Sequence, residues 1–181
     1  MQTVIIMLVV SVVLIGAFIG LNSYMNATKN EPNTQLAEDS DPNRLMITVS
    51  GEVTRPGTYS LVLGSTIDQL IQAAGGTTAN ADALSYFPSI VVEAKINYYV
   101  APKHDNSDVC SALPITKVNV NSANAEELIT LNGVSSSLSQ TIVSHRASKG
   151  EFKYLEQLMD VSGIGTATYN KLRNYVVLRD A

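Results

Sequence analysis

The sequence predicts a multi-domain chain made of an N-terminal transmembrane helix, a small α+β domain and an all-α domain. Three observations carry this expectation. Residues 4–21 form an apolar run without a charged side chain, residues 45–103 alternate like a hairpin and then turn helical, and residues 116–181 contain two gap-free copies of one helical unit.

The apolar run "VIIMLVVSVVLIGAFIGL" leads a chain of 181 residues, and the first ionisable side chain after it is Lys29. Eighteen residues at about 1.5 Å each span roughly 27 Å, close to a hydrocarbon core of about 30 Å, so residues 1–25 are expected to form a membrane anchor. A cleaved signal peptide is the rival reading. "MQT" lacks the usual basic n-region, and "MNA" is a poor cleavage site. Only Lys29 lies near the segment, so charge does not encode its orientation. Gly16 and Gly20 fit the small-xxx-small spacing that lets two membrane helices approach.

Residues 26–44 are polar, contain proline and are too poor in apolar side chains to build a core, which predicts a flexible tether. A second polar break at 104–115 is expected to link the domain at 45–103 to the one at 116–181. In the first domain, Ile47, Val49, Gly51 and Val53 alternate with polar residues. Arg55-Pro56-Gly57 supplies a turn, and Tyr59, Leu61 and Leu63 resume the alternation, predicting a hairpin. Ser65 and Asp68 have capping-box spacing ahead of Ile67, Leu70, Ile71 and Ala74, and Gly75-Gly76 ends that helix. "INYYV" at 96–100 predicts a further strand completing the sheet.

The last domain carries the repeat. "LITLNGVSSSLSQTI" from Leu128 aligns with "LMDVSGIGTATYNKL" from Leu158, thirty residues on, each reading helix, tight turn, helix. Asn121-Ser122 is expected to cap the first helix, and Leu138, Ile142 and Val143 form the buried stripe of the second. Two stacked hairpins then give a four-helix core.

Residues 45–103 resemble an SLBB domain, a β-grasp module, through "VSGEVTRPGTYSL", the double glycine and "INYYVAPK". The resemblance implies ligand binding or self-association; a plain spacer is the alternative. The repeat resembles the helix-hairpin-helix motif, with glycine, an aliphatic residue and a second glycine between helices. Val134 or Ile164 is expected to plug the core. The glycines leave bare backbone beside the unsatisfied amides that open the next helix, where the dipole is positive. Phosphate suits that site and carries no sequence information, so the expected ligand is nucleic acid backbone without sequence preference. The residues expected to contact it are Gly133, Val134, Ser135, Gly163, Ile164, Gly165 and Thr166. Ser135 stands where the second copy has Gly165, and its hydroxyl competes for an amide, so the second hairpin is ranked first.

Charge agrees. From Thr116 onward seven basic and six acidic residues give +1, whereas Lys29 to Ile115 holds five basic and ten acidic, giving −5. Arg146, Lys149, Lys153, Lys171 and Arg173 are the candidate phosphate cations. Cys110 is alone, so no intrachain disulfide is possible. His104 and His145 fall in different segments and no metal-ligand spacing occurs. No enzyme, cofactor or metal site is therefore expected.

The order of anchor, tether, SLBB-like module and paired hairpins resembles the ComEA-type competence DNA receptors, chiefly through "KVNVNSANAEELITLNGV" and "GEFKYLEQLMDVSGIG". That resemblance implies a homo-oligomeric protein on the outer face of the cytoplasmic membrane. It would capture double-stranded DNA non-specifically for uptake in natural transformation and pass it to channel proteins. The alternative is an envelope scaffold or polysaccharide-export component that uses the SLBB-like module to oligomerise.

Overall fold

The computed structural model describes residues 42–105 and 113–180. The expected anchor, nearly all of the tether and Cys110 lie outside them. Among the described residues no helix is long and apolar enough to cross a membrane. The described residues belong to one compact unit.

The first half is built on a three-stranded sheet of order β2-β1-β3, with β1 at Arg44–Gly51, β2 at Gly57–Val62 and β3 at Asn97–Val100. β1 pairs antiparallel with β2, placing Ile47 opposite Tyr59, and parallel with β3, placing Ser50 opposite Tyr99. The alternation read from the sequence fixes the buried face: Ile47, Val49 and Val53 meet Ile67, Leu70 and Ile71 of helix α1 (Ile67–Ala73). Gly51 is required where the sheet is tightest. Its φ is +84°, and a Cβ there would stand 2.2 Å from the Val100 carbonyl oxygen. The capping box falls one residue later than the sequence spacing suggests. Thr66 accepts from the Gln69 amide at 3.4 Å while the Gln69 side chain accepts from the Thr66 amide at 3.0 Å. Ser65 is excluded because its own amide turns back to the Val62 carbonyl.

The expected linker is folded back at both ends. β4 (His104–Asp105) pairs antiparallel with β5 (Leu113–Pro114), and the Asn80 side chain accepts from the His104 amide at 2.9 Å and donates to its carbonyl at 3.1 Å.

The second half is not purely helical. β6 (Val118–Asn119) and β7 (Val176–Val177) pair in parallel and close its two ends against each other. Between them run α2 (Ala125–Ile129), α3 (Ser136–Lys149), a 3-10 helix (Leu155–Asp160) and α4 (Thr166–Leu172). Leu128, Ile142, Phe152, Leu155, Leu158, Ile164 and Leu172 form their common core. The first helix is capped by Asn124 in a reciprocal box with Glu127, not by Asn121-Ser122. Asn121 is committed elsewhere: its side chain donates to the carbonyls of Phe152 at 2.9 Å and Leu178 at 3.0 Å and accepts from the Phe152 amide at 2.8 Å. The segment opening the second copy is a 3-10 helix, and Tyr154 at its start makes no side-chain cap bond.

The two halves pack together through the tyrosines of β3. Tyr98 meets Tyr154 edge-on at 5.3 Å, Tyr99 donates to Asn174 Oδ1 at 2.6 Å, and the Arg173 guanidinium lies 4.1 Å over the Tyr99 ring. A buried ion pair, Lys117 with Asp82 at 2.8 Å, adds a second tie.

Candidate nucleic-acid interface

The repeat in the sequence is a repeat in space. Residues 131–140 and 161–170 follow the same order of buried and exposed positions. Leu131 and Val161 are buried, Gly133 and Gly163 exposed, Val134 and Ile164 buried, and the next three residues of each copy exposed. Gly133 at φ +95° and Gly163 at φ +99° adopt the left-handed turn that L side chains resist. Each turn closes with one bond, from the Val134 amide to the Leu131 carbonyl at 3.1 Å and from the Ile164 amide to the Val161 carbonyl at 3.0 Å. The aliphatic residue points inward and the loop outward, as its sequence pattern requires.

The hairpins part at the next residue. Ser135 and Gly165 have nearly the same backbone, φ −80° and ψ 165° against φ −89° and ψ 177°. Ser135 Oγ accepts from the Leu138 amide at 3.2 Å, so one of the first-turn donors of α3 is already used. Gly165 offers no side-chain cap, and a Cβ built on it meets nothing within 4 Å. No cap side chain takes up a first-turn amide of α4, and Gly165, Thr166 and Ala167 are all exposed.

The five candidate cations divide. Lys149, Lys153 and Lys171 are exposed. Arg146 is half-buried and donates to the Val120 carbonyl at 2.9 Å, and Arg173 lies over Tyr99. These two hold the fold, because a guanidinium near an unsatisfied carbonyl or a ring face is drawn in.

Sequence reasoning missed a buried carboxyl. Glu156 is 6% exposed and its Oε1 accepts from the Tyr169 hydroxyl at 2.8 Å. Burial pushes its acid form up to about 7, against the opposing pull of the Tyr169 hydroxyl. Nothing in the repeat signals this: Glu126, thirty residues earlier, is exposed. Glu156 lies at the floor of a cleft of about 260 Å³ between the two halves, walled by Lys95, Asn97 and Tyr99 on one side and Thr166, Asn170 and Arg173 on the other. Among the described residues no group of acidic, histidine or cysteine side chains is placed to hold a metal ion.

Comparison with known proteins follows the same division. Residues 114–177 match the helix-hairpin-helix motif family, and residues 46–86 match the SLBB domain family. ComE operon protein 1 of Bacillus subtilis is 27% identical over 162 residues, covering 84% of this chain and 79% of that protein. An uncharacterized protein of Haemophilus influenzae is 36% identical over 72 residues, which is 39% of this chain and 64% of that protein. A Xenopus laevis endonuclease/exonuclease/phosphatase family domain-containing protein 1 is 42% identical over 57 residues, but the match spans 10% of its length. The chain thus joins an SLBB domain to a helix-hairpin-helix motif region, and over 84% of its length it is a homologue of ComE operon protein 1.

Proposed function

We propose that the chain is a membrane-anchored receptor that holds double-stranded DNA by its backbone, without sequence preference, for uptake in natural transformation. One observation carries the binding step: the second hairpin presents bare, outward-facing backbone at Gly165 and Thr166 ahead of α4. A phosphate there meets amide donors and the positive end of a helix, worth about 0.3 to 1 kcal/mol per charge interaction and up to about 2 in favourable geometry. Lys149, Lys153 and Lys171 add contacts of the same non-specific kind. Single-copy binding is then micromolar or weaker at physiological salt.

Weak single contacts acquire a use when many copies share one membrane, because a long duplex is then held by avidity. That is the role proposed for the apolar residues 4–21 and for self-association through the SLBB domain. The reading places the described domains outside the cytoplasmic membrane, with channel proteins receiving the DNA. The homology to ComE operon protein 1 supports it. The test is titration of the full chain in detergent with duplexes of different sequence. Expected are equal affinities and a log-log salt slope reflecting about three to five neutralised phosphates. Absence of binding at low salt would remove the reading and favour an envelope scaffold. Protease accessibility in intact cells reports the side of the membrane.

A further inference from the structure

The hairpin loop does not end in open surface. Thr166, the exposed first residue of α4, also forms part of the wall of the cleft between the halves. A strand lying on the second hairpin is therefore led toward Lys95, Asn97 and Ser50, which line the same cleft from the SLBB domain. We propose that the bound DNA backbone continues across this cleft onto Lys95, so that both domains form one phosphate track.

Four observations carry the assignment, which rests on the reading of the second hairpin as a phosphate contact. The cleft holds two cations, Lys95 and Arg173, and one carboxyl, Glu156, which is buried and bonded to Tyr169. A polyanion therefore meets no exposed carboxylate among the residues lining it. The cleft, about 260 Å³, is reached from solvent through the exposed residues Lys95, Asn97 and Thr166 on its two walls. Lys95 is exposed, and among the described residues it is the one non-glycine at positive φ, +69°. Such a backbone costs free energy that only Asn, Asp or Gly would avoid, so a lysine there points to a use for its charge. Finally, Lys95 is the one charged side chain that the SLBB half contributes to the lining of the cleft.

The test uses the full chain in detergent, a duplex of fixed sequence and a salt series. Lys95→Asn removes the charge and suits the left-handed backbone, so it folds. It is expected to weaken binding about fivefold at low salt and to lower the log-log salt slope by about 0.9, one phosphate's worth. Lys95→Arg is expected to keep both values. Lys103→Ala removes an exposed cation of the same domain that does not line the cleft, and is expected to leave the slope unchanged. If Lys95→Asn binds like the parent while Gly165→Leu loses binding, the shared track is wrong and the hairpin reading stands. If Lys103→Ala and Lys95→Asn act alike, the effect is net charge and the track is again wrong. If the parent chain binds no duplex at low salt, the hairpin reading itself has failed.

Discussion

The two hairpins share a backbone and differ in their surroundings. Both turn at a left-handed glycine and bury one aliphatic residue. The first is self-contained, with Asn124 and Ser135 capping its helices. The second lacks both caps, yet it is the copy against which the SLBB domain packs, through Tyr98 on Tyr154 and Arg173 over Tyr99. Stability that the first copy draws from local hydrogen bonds, the second draws from a neighbouring domain. That frees its helix start from serving itself.

Truncating the plugs tests this most severely. Ile164→Ala removes a side chain buried at the junction of both hairpins and is expected to cost about 2 to 5 kcal/mol in urea unfolding, against about half that for Val134→Ala. Equal losses would mean that the second copy is no more dependent on packing than the first.

The paired glutamates come next. Glu156 has its folded-state pKa raised to about 7, above its ordinary value of 4.5, so the folded chain favours the protonated form. The contribution is complete below about 4.5 and is lost as pH rises through about 7, roughly 3 kcal/mol in all. Glu156→Gln is expected to flatten stability across that window, and Glu126→Gln, at the exposed counterpart, to leave the profile unchanged.

Smaller differences separate the turns. Gly133→Ala meets only the backbone penalty, about 1 to 2 kcal/mol. Gly163→Ala adds a methyl 3.2 Å from Leu138 Cδ1 and is expected to cost more in thermal melts. At the following position stability and binding come apart. Gly165→Leu is allowed by its backbone and by open space, so it is expected to melt like the parent while binding DNA about tenfold more weakly; Ser135→Leu is expected to change affinity far less. The gentlest change is Ser135→Gly. It removes the cap on the Leu138 amide and is expected to steepen the salt slope by up to about 0.9, turning the first hairpin into a second contact.

The legible parts of this molecule were those fixed by local chemistry. Ile47, Val49 and Val53 announced a half-buried strand by alternation, and Gly133 and Gly163 announced their turns because few other residues adopt them. The order of buried and exposed residues across the hairpin loops could be read from Leu131, Val134, Val161 and Ile164. What stayed hidden depends on long-range placement. Asn121 looks like a cap beside Ser122, but its partners are Phe152 and Leu178. Arg146 and Arg173 look like surface cations until a carbonyl and a ring reach them. The tyrosines of "INYYV" read as strand residues, and only the packed halves show that they join one half to the other. Glu156 has no local mark at all, since the residues around it, Tyr169 of its own half and Tyr99 of the other among them, are brought to it only by the fold.

The short parallel pair of β6 and β7 sets the entry of the hairpin region beside its exit, held by the Val118 amide on the Tyr175 carbonyl and the Val120 amide on the Val177 carbonyl, each at 3.0 Å. Force applied between the start of β6 and the end of β7 runs along both of these parallel strands. It loads those rungs together in shear and does not peel them one by one.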